Sequence, residues 1–241
     1  AVRLKAARQS LAQFAQATGG RVDSARTSVP KFGRSEASRA SAQARKASST
    51  YSSLNTKAKP VTMQSIANVK AFSCDTLDAA GQQQLKNAHK RLLMVASKQP
   101  ENVEVGRVFD IKMKPLTKDI TGSAEGSSVR LPNFDTPYVV IHTHPACGIF
   151  SHGDLSSFTR NKNLKLMTAI GHNGHIYAVE KSINYDAAAA NGIVWGLNAE
   201  INRLKNIPRA ELSDEKLLEQ AEKLIRQAIG DLQENGVKYY E

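Results

Sequence analysis

The chain has 241 residues, 41% hydrophobic and 23% charged, which suits one substantial core or two small ones in a water-soluble protein. No apolar run reaches the roughly 18 residues of a membrane span, and the basic start AVRLKAARQSLAQF has no apolar stretch or cleavage site of a signal peptide. A membrane-spanning helix is therefore not expected within these residues, and the two cysteines, Cys74 and Cys147, are too few for a disulfide framework.

The net charge of +11 is unevenly placed. Residues 1–60 carry twelve Lys and Arg against only Asp23 and Glu36, so residues 61–241 are close to neutral. This first segment is rich in Ser, Ala and Gln, with Phe14, Phe32 and Tyr51 as its aromatics. Such a composition buries too little apolar surface to offset the entropy of ordering. It reads as a basic arm, disordered or dependent on a partner. Its role is either a solvated linker or a contact with nucleic acid or another polyanion.

The remaining elements follow in chain order. Leu85, Ala88, Leu92 and Val95 recur at helical spacing, predicting a helix over residues 77–98 that ends before Pro100. Short β-like runs come next, over residues 103–111, 127–131 and 138–143. Residues 153–162 read as helical. Residues 164–170 and 175–179 predict a hairpin around Asn173-Gly174, a pair favoured in type I′ turns. An apolar stripe predicts a helix over residues 184–206, broken at Ile207-Pro208. Ser213 is placed to cap a last helix whose stripe runs from Leu217 to Leu232 and stops at Asn235-Gly236. The domains read as a basic arm (1–60), a mixed α+β body (61–182) and a C-terminal helical extension (183–241).

The informative stretch is Tyr138-VVIHTHPACGIFSHGD-Leu155. Side chains alternate along a strand, so His142 and His144 face the same way, and Pro145 ends the ladder. Ser151 and Asp154 then stand at a helix start, in the spacing of a capping box, where a ligand carboxylate can also sit. Two imidazoles and one carboxylate leave the fourth position of a tetrahedral zinc free for water, as in catalytic rather than structural sites. Hydrolysis also needs a proton acceptor. Glu104, in a β-like run between Val103 and Val105, is the first candidate and Glu101 the second; the odd offset between them turns Glu101 to the opposite face. Ser151 is a candidate oxyanion donor. His152 lies near the site. His172 and His175 flank the hairpin turn, His89 is read as a surface residue of its helix, and a Cys147–His nucleophile is the minor rival to a metal.

These residues resemble the JAMM (MPN-plus, JAB) metallopeptidases, whose pattern is an upstream Glu, then H-[ST]-H-P, a short loop and S-x-x-D. Here it stands as Glu104, His142-Thr143-His144-Pro145 and Ser151-His152-Gly153-Asp154. The resemblance implies a JAMM/MPN-like (cytidine-deaminase-like) mixed sheet flanked by helices. It also implies zinc on His142, His144 and Asp154, Glu104 as general acid/base, and Ser151 as oxyanion support. The substrate it implies is a protein or peptide, with ubiquitin-like conjugates included. The loop from Pro145 to Phe150 is shorter than in deubiquitinase members, which counts against ubiquitin more than against zinc. A wider stretch, over residues 68–182, is similar to JAB-like domains appended to phage head morphogenesis (minor capsid) proteins and found in bacterial mobile elements and toxins. That similarity implies a cytoplasmic or virion-associated protein, or a secreted effector. It leaves two alternatives to the enzyme: a capsid protein with a vestigial metal site, and a toxin module.

Overall fold

The computed structural model describes residues 58–123, 128–208 and 210–241. The basic arm read over residues 1–60 lies outside them, apart from Ala58, Lys59 and Pro60. Among the described residues no helix is long and apolar enough to cross a membrane.

The first elements are a short helix α1 (Met63–Ala67) and α2 (Ala79–Ala96). Asp78 caps α2, its carboxylate accepting from Gly81 N at 2.7 Å. Strands β1 (Val105–Asp110), β2 (Ile120–Thr121) and β3 (Tyr138–His144) follow, then α3 (His152–Arg160), β4 (Leu164–Gly171) and β5 (Ile176–Lys181). Two long helices, α4 (Ala187–Lys205) and α5 (Asp214–Gln233), lead to a last strand β6 (Val237–Tyr240). The six strands form one mixed sheet in the order β2-β1-β3-β4-β5-β6. Every neighbouring pair is antiparallel except β3 and β4.

All seven residues of β3 are buried, because both faces of the sheet are covered. Val139 and Ile141 pack with Leu85 and Leu92 of α2 on one face. Tyr138 and Val140 pack on the other with Phe150, Phe158 and residues of α4 and α5. The C-terminal segment thus shares the core of the body and supplies the sheet's edge strand. The fold is α+β, a six-stranded mixed sheet flanked by helices.

Some expectations are corrected. The described part of the run at 127–131 forms no strand. It lies over β1 instead, where a Cβ on Gly106 would come within 2.9 Å of the Leu131 side chain. The hairpin turn is not type I′, which needs positive φ at both central residues. Only Gly174 is left-handed, at φ 86°. Gly174 N bonds to Gly171 O at 2.8 Å, and so does Gly171 N to His175 O. A Cβ on Gly174 would lie 2.1 Å from Ser65 O, so the turn packs against α1.

His89 is a further correction: it is fully buried between α2 and the sheet, its Nε2 2.7 Å from Thr168 Oγ1. Burial, reinforced by the charge of His142, pushes its pKa down to about 3. Between pH 6.5 and 3 the unfolded chain takes a proton that the folded chain refuses, so stability falls as pH falls, by up to about 1.4 kcal/mol per pH unit. His89→Gln keeps a hydrogen-bonding partner for Thr168 and is expected to flatten this slope. Urea unfolding at pH 6.5 and 4.5 reads it directly, and equal slopes in the two proteins would contradict the assignment.

Candidate metal centre

Because β3 and β4 are parallel, the chain must cross over between them. The crossover begins directly after His144 and contains α3. Its first turn therefore lies at the same end of the sheet as the last residues of β3, the usual place for ligands beside parallel strands. A turn closes first, Cys147 N donating to His144 O at 3.0 Å, with Cys147 itself left-handed at φ 60°. Ser151 then caps α3 in a full capping box with Asp154. The Asp154 carboxylate accepts from Ser151 N and from Ser151 Oγ, both at 2.7 Å. The capping reading of Ser-x-x-Asp is met, and the box that starts the helix also aims the Asp154 carboxylate towards the two imidazoles.

His142, His144 and Asp154 converge as a group that could hold a metal ion. The two Nε2 atoms are 2.9 Å apart. Asp154 Oδ1 lies 3.5 Å from Nε2 of His142, and Oδ2 lies 3.4 Å from Nε2 of His144. Donors about 2.05 Å from a tetrahedral ion would be about 3.3 Å apart, so small shifts would seat one. His144 Nδ1 donates to Gly148 O at 2.9 Å, which leaves its Nε2 as the atom for a metal. His142 Nδ1 is buried with no hydrogen-bond partner among the described residues.

The electrostatics show what the three groups do without an ion. Burial opposes a charge on His144, but its hydrogen bond to Asp154 and the charges of Asp154 and Glu104 outweigh this and raise its pKa to about 9. Burial likewise opposes ionisation of Asp154, yet the two imidazoles hold its carboxyl well below the usual carboxylate range. A proton on the imidazoles thus occupies the place of a cation.

Glu104 stands immediately before β1. In the β1–β3 ladder Gly106 pairs with His142, and Val105 N donates to Thr143 Oγ1 at 2.9 Å. Continuing that register sets Glu104 across from His144, on the ligand face. Its carboxylate accepts from Val129 N at 3.0 Å. Burial raises its pKa and the nearby histidines pull the other way. Glu104, His144, Ser151 and Asp154 line one cavity of about 420 Å³. Glu101 is exposed in the preceding turn and is not in that wall.

His152 borders the cavity, and burial followed by the charge of Lys205 lowers its pKa. Cys147 is half-buried and outside the wall. His175 is exposed and packs edge-on to Tyr177. His172, at the hairpin turn, is buried; its Nδ1 donates to Lys59 O at 2.7 Å, and Lys59 N donates to Pro145 O at 2.9 Å. This clasp holds the irregular segment at residues 58–60 against the rim. Sequence reasoning also missed the wall supplied by α5, whose Leu218 and Ile225 belong to an ordinary apolar stripe.

Comparison of the chain with protein-family models, with curated proteins and with solved structures finds no match in any of the three.

A metal can take Nε2 of His144 only when its proton leaves. Titration of the chain with Zn²⁺ or Co²⁺ at pH 7.5 is expected to show about one ion bound and about one proton released, with affinity rising as the pH rises towards 9. Calorimetry in buffers of different ionisation enthalpy counts the protons, and binding without release would contradict the geometry. The sign for the metal-free fold is opposite. The raised His144 pKa stabilises it fully below pH 6.5, and that contribution is lost as pH passes about 9.

Proposed function

We propose that the chain is a zinc-dependent hydrolase of amide or isopeptide bonds, of the JAMM kind. The observation that carries this is a half-buried carboxyl, Glu104, lying across from His144 in the cavity bordered by His144 and Asp154. A structural metal site needs its ligands alone. A hydrolytic one needs, besides an open coordination position, a group that moves protons. Two imidazoles and one carboxylate with an open fourth position are a donor set found in catalytic zinc sites.

A zinc ion held by His142, His144 and Asp154 would polarise the scissile carbonyl and acidify a water molecule. Glu104 then accepts a proton from the attacking water and delivers it to the departing amine nitrogen, which the amide needs before its C–N bond can break. The raised pKa of Glu104 fits this double duty, since a carboxylate at its ordinary value takes up a proton too weakly at neutral pH. Val129 N orients the carboxylate. Ser151 hydrogen-bonds Asp154 with its one hydroxyl proton, so its first task is to aim the ligand. Support of an oxyanion would require that hydroxyl to rotate towards the substrate. The short loop from Pro145 to Phe150 favours peptide amides over ubiquitin conjugates as substrates.

Glu104→Gln is expected to keep about one zinc per chain and to lose roughly 10²- to 10⁴-fold in hydrolysis, whereas His144→Ala loses the metal as well. Zinc content by elemental analysis and cleavage of a proteome-derived peptide library, read by mass spectrometry, check both. Zinc-loaded wild type that cleaves nothing, or a fully active Glu104→Gln, would overturn the reading.

A further inference from the structure

The cavity is walled on one side by groups far away in sequence. Leu218, Glu222 and Ile225 of α5 line it, and their spacing puts them on one helix face. Ile225 is buried, Leu218 half-buried, and the Glu222 side chain is 52% exposed at the rim. Ile149 and Phe150, from the loop that follows His144, continue this apolar surface towards the ligands.

The charges in the wall are one-sided. The ionisable side chains lining the cavity are those of Glu104, His144, His152, Asp154 and Glu222; no Lys or Arg lines it among the described residues. The nearest partner of Glu222 is Arg226, whose guanidinium lies 2.9 Å from the carboxylate and also binds Glu241 at 3.2 Å. That arginine is held between two carboxylates and does not line the cavity. A carboxylate or phosphate seated against the α5 side of the cavity would lose its hydration beside Glu222 and find no Lys or Arg there, which costs far more than burying an apolar group. The volume, about 420 Å³, is at the small end of the roughly 300–1,000 Å³ of ligand clefts and takes a short peptide segment.

We propose that Leu218 and Ile225, with Ile149, form the specificity subsite: it receives a branched or aromatic apolar side chain next to the scissile amide and rejects an acidic one. This rests on the hydrolase reading of the same cavity, and it assigns the substrate as an internal or isopeptide amide with apolar flanking residues rather than a terminal, carboxylate-bearing one.

The test uses the full chain loaded with zinc and end-blocked hexapeptides that differ at one central position (Leu, Phe, Ala, Lys or Asp). Binding is measured on Glu104→Gln, which holds the peptides without turning them over, and cleavage on the otherwise unaltered chain. Leu and Phe peptides are expected to bind at least tenfold tighter than the Asp peptide, the scale of discrimination by an apolar pocket. Introducing Leu218→Lys, at a half-exposed position, should narrow or invert the ratio in favour of Asp, and Leu218→Met should leave it in place. Equal affinities across the panel, or a ratio unmoved by Leu218→Lys in a variant whose circular dichroism and zinc content match the parent, would overturn the subsite. Selective binding together with no cleavage would uphold the subsite and overturn hydrolysis.

Discussion

The site depends on the one parallel pair in the sheet. Had β4 run antiparallel to β3, a tight turn could have joined them and nothing would stand over the end of β3. A parallel partner requires a crossover, and this one turns back within the loop from Pro145 to Phe150 to start α3 over the imidazoles. The start of α3 is then fixed by Ser151 and Asp154, whose mutual hydrogen bonds are worth about 1 kcal/mol as a cap. That modest local term sets the direction of the one carboxylate that faces both histidines. Two neutral imidazoles with their Nε2 atoms 2.9 Å apart can share one proton. Two protonated ones would repel strongly in a buried site. The Asp154 charge favours a proton on His144 beside it, and the same arrangement could hold a metal ion in its place.

The position of Glu104 follows from a different feature, the glycine opposite His142. With no side chain at Gly106, the segment through Val129 and Leu131 settles against β1, since a Cβ there would press within 3.1 Å of both side chains. Val129 N then reaches the Glu104 carboxylate. The cover raises the pKa of the carboxyl by excluding water, and the hydrogen bond and the histidines pull it down. The proton affinity of this group is thus a balance among elements that meet only in the folded chain.

Much of this was legible in the sequence where a local rule decides the outcome. Strand alternation puts His142 and His144 on one face, and Ser-x-x-Asp marks a helix start. Ser213 caps α5 as its place before an apolar stripe implies, with its Oγ accepting from Lys216 N at 3.4 Å. His89 was legible too: it sits at i+4 from Leu85 and i−3 from Leu92, on the buried stripe of α2, and that position outweighs its polarity. Other features had no local signal. β2 has two residues and β6 four, too few for a period to emerge. The run at 128–131 alternates like a strand but has no free ladder to join, since β1 is already paired on both sides with β2 and β3. Asn173-Gly174 marks the turn; its type is set by the close packing of Gly174 on Ser65, a contact over a hundred residues away.

For the proposed hydrolase, the α5 wall is a place where substrate preference could change while the donor groups stay as they are. Ala221, Ile229 and Leu232 are buried in the core shared with β4 and β5, so the helix is anchored by residues other than those at the cavity. Leu218 lies nearer its start, on the small cluster with Leu204 and Leu212. The ligands and Glu104 come from β3, α3 and the residue before β1, each held by ladder or capping bonds that α5 does not make. A substitution at Leu218 therefore alters the surface offered to a substrate side chain while the donor geometry is held elsewhere. In the proposed hydrolase, specificity and catalysis would sit on separately anchored elements, the arrangement that lets one vary while the other keeps its position.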